Sequence, residues 1–201
     1  MIGRKNNIRS LKSLEVTVLM GGVSSEREIS LISGDAVYKS LSAQGHKTRK
    51  FDLQYSNMNS FFRLKTDFVF IALHGRMGED GFVQSVLEMK GIPYSGSGPL
   101  ASALSLNKYY AKAVMMQNRI PTPAFKFMSK KEFGKPIISG IKSFPVVVKP
   151  VSQGSAIGID IASNSKELEK CVRKSFKYDN NVLVERYISG LSLIHISEPT
   201  R

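Results

Sequence analysis

A carboxylate, Glu26, sits just behind a double glycine in the run Gly21-Gly22-Val23-Ser24-Ser25-Glu26-Arg27-Glu28-Ile29-Ser30. The apolar run before it, residues 16–20, reads as a buried strand. The residues after it carry Ile29, Ile32, Ala36, Val37 and Leu41 at helical spacing, which predicts a helix with that apolar face. A strand, a glycine turn and a helix place Glu26 in the first helical turn, beside N–H groups with no partner inside the helix. In open α/β sheets the ligand crevice lies beyond the carboxyl ends of the strands, so a carboxylate held there can receive a substrate ammonium. The plainer reading is a capping box of Ser25 with Glu28, and the two are compatible because that box uses Glu28 rather than Glu26.

Two further segments carry reactive side chains. His74 follows a second buried strand, residues 67–73, and opens the run His74-Gly75-Arg76-Met77-Gly78-Glu79-Asp80-Gly81. It therefore belongs to the same sheet edge as Gly21, although a histidine at a strand end is more often a satisfied polar residue. Glu79 and Asp80 read as loop and helix-start residues, since nothing supplies further metal ligands at a recognisable spacing. The loop Ser152-Gln153-Gly154-Ser155-Ala156-Ile157-Gly158 joins two short apolar runs. Small residues let backbone N–H groups approach an anion, Ser155 adds a hydroxyl, and Lys149 can add a positive charge. A plain hairpin turn would choose the same glycine and serine, and the Gly-Lys-Ser/Thr ending of the common phosphate loop is absent.

The elements that must position these residues fall into two patterns. Residues 1–13 read as a flexible basic lead. Residues 14–105 alternate strand and helix, as in a wound parallel sheet. A short helix is expected with Val83, Val86 and Leu87 inward and Gly91 at its end, followed by a short strand at 92–95. Residues 106–190 read as α+β: a helix over 107–118, a strand at 145–150, a return strand at 159–161, a helix over 167–178 capped by Ser165, and a strand at 181–188. Pro121 and Pro123 mark a subdomain boundary. The lone cysteine, Cys171, is expected to pack in the core, and a single cysteine excludes an internal disulfide framework.

The 201 residues allow one large or two small domains. No apolar run approaches the roughly 20 residues needed to span a bilayer, and the amino end lacks a signal-peptide core, so a cytoplasmic protein with no membrane partner is expected. The formal charge of +13 raises the question of nucleic acid. The lysines and arginines are dispersed without an aromatic-interleaved stripe, which argues against it. A non-enzymatic nucleotide- or nucleic-acid-binding module is the alternative of a different class.

Taken in order, these motifs resemble those of the D-alanine–D-alanine ligases of the ATP-grasp superfamily. The segment 21–28 is similar to their amino-terminal substrate motif, and His74 through Ser85 to their most specific signature. Gly96-Ser97-Gly98 with Lys108 resembles the segment joining the first two domains. Val148-Lys149-Pro150, Gly154-Ser155 and Val184-Glu185-Arg186-Tyr187 resemble the nucleotide-binding lobe. The resemblance implies a Rossmann-like substrate domain followed by the first lobe of an ATP-grasp fold. It implies that Glu26 holds the ammonium of a first D-alanine, with Ser155 orienting that carboxylate, and that the two converge on one pocket. Val23 and His74 would complete the substrate site, His74 near the substrate carboxylate. Lys108, Lys149, Gly154 and Ser155 would meet the ATP phosphates, and Glu185, Arg186, Tyr187 and Ile188 the adenine. The implied reaction joins two D-alanines through a D-alanyl phosphate for peptidoglycan. D-alanine–D-lactate or D-alanine–D-serine ligation is the near alternative, and a homodimer the implied assembly.

Mg²⁺ is implied as well, with its ligands in a second lobe that this sequence does not contain, so the chain as written is expected to be inactive. After Gly190 the family places a glutamate and an apolar strand, whereas residues 191–201 resemble the translation of a sequencing-adapter end. Native sequence is therefore expected to end near Gly190, and His195 and Glu198 are given no catalytic role. Ala156, where many relatives carry a second serine, is a small departure.

Overall fold

Six consecutive residues of the first strand are buried, and that burial makes it the centre of a sheet. A computed structural model describes residues 13–133, 141 and 143–190. The chain divides into two compact units between Leu106 and Asn107.

In the first unit, β1 (Glu15–Gly21) lies between β2 (Lys47–Leu53) and β3 (Phe68–Ile71), and both neighbours run parallel to it. Connections between parallel strands need crossovers, supplied here by α1 (Arg27–Ala43) and by the short α2 (Met58–Phe62). Tyr94 extends the β3 edge by a single parallel bridge to Val69, so the strand expected at 92–95 is reduced to one pairing. The core is built from Leu19, Leu53, Phe61, Val69 and Leu73, closed by Val83 and Leu87 of α3 (Phe82–Met89). Gly91 follows this helix at a positive φ of 65°, which halts it as expected. The unit ends in α4 (Pro99–Leu106), with proline at the first helical position, where its missing N–H costs nothing.

The sheet-facing side of α1 differs from the expected one. Ser30 and Gly34 are its buried residues, whereas Ile29 and Ile32 are 58% and 68% exposed. Close approach explains the choice. A Cβ on Gly34 would stand 2.6 Å from Met20 Cβ, and the Ser30 hydroxyl donates to the Ala72 carbonyl at 2.7 Å. Only small residues fit between this helix and the sheet, so the bulky isoleucines turn outward.

In the second unit, α5 (Lys108–Gln117) precedes a four-stranded antiparallel sheet. Its order is β4 (Phe125–Ser129), β7 (Asn181–Arg186), β5 (Val146–Pro150), β6 (Asp160–Ala162). Helix α6 (Ser165–Ser175) lays Leu168, Val172 and the following Phe176 on Val146, Val148, Val182 and Val184. Asn164, not Ser165, caps α6 by accepting the Glu167 N–H at 3.0 Å, because Asn164 is the extended residue before the first turn. Cys171 packs at the margin of this core, half-buried rather than enclosed, and burial pushes its thiol pKa up.

Candidate functional site

Each unit carries its own constellation. In the first, the chain leaves β1 through Gly21 and Gly22, both at positive φ (76° and 83°). Arg27 clamps this turn, donating to the Gly22 carbonyl and making two bonds to Asp52 of β2, at 2.7 and 2.6 Å. Glu26 is the N-cap of α1, one position before the first turn, and makes no side-chain cap hydrogen bond. The expected box of Ser25 with Glu28 does not form. Ser24 takes that local role instead, its hydroxyl accepting from the Glu26 N–H at 3.2 Å and donating to the His74 carbonyl at 2.7 Å. The Glu26 carboxylate stands beside Gly75, where an added Cβ would lie 3.3 Å from Oε2. Val23 is half-buried against the core beside it. Glu26, Val23 and His74 thus all lie beyond the carboxyl ends of β1 and β3.

The loop after His74 is held from within. The Glu79 carboxylate accepts the Gly75 N–H at 3.0 Å through Oε2, while Oε1 lies 4.0 Å from His74 Nδ1. Asp80 accepts the N–H groups of Met77 and Phe82, at 2.9 and 3.0 Å, and so starts α3. Buried Met77 adopts φ 71°, a strained value for a side-chain-bearing residue, and Gly78 fits because a Cβ there would meet Leu73 at 2.4 Å. These contacts fix the loop that begins at His74. Among the described residues no group of three or more His, Cys, Asp and Glu could hold a metal ion.

In the second unit the charges gather on one face of the sheet. Glu185 in β7 pairs in register with Val147, and Lys149 lies two residues along β5, so their side chains share a face and form an ion pair. Lys112 approaches the other carboxylate oxygen, Oε2, to 2.9 Å, while donating to Thr122 Oγ1 and the Pro123 carbonyl at 2.6 and 3.1 Å. Both Lys112 and Glu185 are buried. Glu185 Oε2 thus faces the Lys112 ammonium, and Oε1 that of Lys149. One turn before Lys112, Lys108 begins α5, with Asn107 as its cap. The Lys108 ammonium donates to the Gln153 carbonyl. Burial pulls its pKa below that of an ordinary lysine, and neighbouring Lys149 lowers it further.

The loop from Val151 to Gly158 is a tight, left-handed turn. Ser155 and Ala156 have φ of 47° and 59°, and the Ile157 N–H returns to the Gly154 carbonyl at 3.0 Å. Asp179 steadies the loop by accepting the Ser152 N–H at 2.8 Å, and Gln153 donates to the Tyr178 carbonyl. Residues in such sparsely populated conformations persist where surrounding structure over-determines them, and they cluster at ligand sites. Arg186, Tyr187 and Ile188 run exposed from the end of β7. Lys112 and Lys149 pair with one carboxylate while Lys108 lies within its electrostatic reach, an excess of positive charge suited to a polyphosphate.

Sequence reasoning missed Lys112, Ser24 and Asp179. The spacing of Lys108 and Lys112, four apart on one helix, was the available signal for the first. The other two act through loop contacts that have no sequence pattern.

Two family models match the chain: "D-ala D-ala ligase N-terminus" over residues 46–97 and "D-ala D-ala ligase C-terminus" over 114–196. The second match runs to Ile196, beyond the Gly190 at which family-like sequence was expected to stop, and residues 191–201 lie outside those described. A D-alanine–D-alanine ligase of Geobacter sulfurreducens is 43% identical over 180 residues, covering 90% of this chain and 57% of the relative. The Bacillus anthracis D-alanine–D-alanine ligase complexed with ATP matches with a TM-score of 0.77 and 33% identity, over 89% of this chain and 60% of that one. The VanG D-Ala:D-Ser ligase of Enterococcus faecalis matches with a TM-score of 0.72 and 26% identity, over 89% and 64%. The chain thus spans little more than half the length of the Geobacter relative.

Proposed function

Because the chain belongs to the D-alanine–D-alanine ligase family, we propose that it contributes the first-substrate half and the nucleotide half of an ATP-dependent ligase that joins two D-alanines for peptidoglycan. The supporting observation is the second unit's buried Glu185, paired with both Lys149 and Lys112. Glu185 accepts from the exocyclic amino group of adenine, and the surplus of lysine charge around it favours the phosphates. Lys108 and Lys149, with the turn at Gly154 and Ser155, are placed to receive phosphates. Arg186, Tyr187 and Ile188 continue the adenine side. In the first unit Glu26 takes the D-alanine ammonium, Val23 borders it, and His74 faces the carboxylate.

The chemistry follows from those charges. A D-alanine carboxylate oxygen attacks the γ-phosphorus, the bond to the β–γ bridging oxygen breaks, and ADP leaves. The amine of a second D-alanine then attacks the acyl carbon, phosphate departs, and the ammonium proton passes to solvent or base. Fixed cations lower the barrier by meeting charge that develops on the transferring phosphoryl group. Mg²⁺, when bound, would neutralise phosphate charge, and among the described residues no group of three or more His, Cys, Asp and Glu could hold it.

The D-Ala:D-Ser relative supports a second reading, in which the second amino acid is D-serine. The cell location that fits the substrates is the cytoplasm. Amide-shift mapping tests the assignment. ATP should move Lys108, Lys149, Gly154 and Glu185–Ile188, and D-alanine should move Val23, Glu26 and His74. ATP shifts confined to the basic lead would contradict it.

A further inference from the structure

Three serines tie α1 and the turn before it to the segment around His74. Ser30 donates to the Ala72 carbonyl, Ser24 to the His74 carbonyl, and Ser33 meets the ring itself, with Oγ 3.1 Å from His74 Nε2. The last contact has a defined direction. Ser33 Oγ also lies 2.9 Å from the Ile29 carbonyl, one turn back, and 3.4 Å from that of Ser30. A carbonyl can only accept, and a hydroxyl has one proton, so the hydroxyl proton is committed to the helix. What remains on Ser33 is a lone pair, and the group that meets it must donate.

We propose that Ser33 is a positioning residue for His74: its lone pair receives Nε2–H and so fixes the ring in one orientation. Nδ1 is the ring nitrogen turned toward Glu79, whose second oxygen is occupied by the Gly75 N–H. The hydrogen bond on one ring nitrogen sets the role of the other. Ser33 thereby presents the His74 ring in one orientation at the start of the loop it begins. This role rests on the reading of His74 as a substrate-facing residue, but the geometry it asserts needs no substrate.

The chain has three histidines, so ¹⁵N-histidine labelling gives a readable spectrum with His46 and His195 as internal references. Above the ring titration, two-bond ¹H–¹⁵N correlation should show His74 protonated at Nε2, with that proton protected from solvent exchange. Ser33→Ala should accelerate the exchange at least about tenfold, while Ser33→Thr, which keeps the hydroxyl and its bond one turn back, should retain protection. Unchanged backbone amide shifts along β1 report that the variant is folded. An Nδ1–H tautomer in the unaltered chain, or exchange indifferent to Ser33→Ala in a folded variant, overturns the proposal. The tautomer in the unaltered chain decides the matter if Ser33→Ala does not fold. Added D-alanine reads the substrate role separately. A protected Nε2–H with no response to D-alanine upholds Ser33 as a positioning residue and removes the substrate role of His74.

Discussion

Lys112 of α5 and Glu185 of β7 meet at 2.9 Å with both side chains more than nine-tenths buried, and Lys149 holds the other carboxylate oxygen. Two cations on one buried anion are a net charge in a place where charge is expensive. Lys112 spends its remaining donors on Thr122 and Pro123, which anchors α5 to the turn before β4. Lys112 thus ties the buried carboxylate to that turn.

Replacing Lys112 removes the anchor and one of two counter-ions. Lys112→Met should destabilise the second unit by about 3 kcal/mol, the scale for breaking a buried pair. Urea denaturation checks this. In a double-mutant cycle, Glu185→Gln should cost less in the Lys112→Met background than alone, because the carboxylate has already lost a partner.

The tight seat of α1 predicts an unusual glycine effect. A helix interior normally gains up to about 1 kcal/mol from Gly→Ala. Gly34→Ala should instead lose about 1–2 kcal/mol, since the new methyl lands on Met20 and overpacking outweighs the propensity gain. Ile32→Ala, on the exposed face, should change stability by less than about 0.5 kcal/mol. Equal effects in urea denaturation would contradict the observed helix face.

The Arg27 clamp makes the first unit acid-sensitive. Hydrogen bonding from Arg27 holds the Asp52 carboxyl below its ordinary pKa. A carboxyl depressed on folding adds stability that is complete above its unfolded pKa, near 4, and is lost as the pH falls through the folded value. Asp52→Asn should lower the urea midpoint at neutral pH and flatten its decline below about pH 4. A decline of unchanged slope would sink the assignment.

The loop conformation at Ser155 and Ala156 gives a further test. Both residues are held at positive φ. Ala156→Gly should therefore relieve strain of about 1 kcal/mol, offset in part by glycine's greater freedom when unfolded. The net stability change should be small while ATP affinity falls, as a looser loop loses preorganisation. Calorimetric ATP titration of this variant measures it.

Much of the fold was legible because apolar runs and glycine punctuation agree at β1, at α3 and at the β5–β6 hairpin. β2 was not singled out: Lys47-Thr48-Arg49-Lys50-Phe51-Asp52-Leu53 is an edge strand whose polar side chains hide the strand signal. β4 escaped for the same edge reason. The wrong face of α1 came from counting large apolar residues, when close packing had selected small ones. Glu26, His74, Lys108, Lys149 and Ser155 were visible as chemistry at fixed places along the chain. Ser33 and Lys112 were not, because their importance lies in which partner the fold brings to them.

The central claim is that ATP activates a D-alanine carboxylate. It is tested most directly by following carboxylate oxygen. D-alanine labelled with ¹⁸O in its carboxyl group is supplied with ATP to the whole ligase that contains these two units, and the released phosphate is analysed by mass spectrometry. One ¹⁸O should appear in each phosphate released with a dipeptide, and Glu26→Gln should abolish both. Dipeptide formed with unlabelled phosphate, or phosphate released equally without D-alanine, would contradict the account.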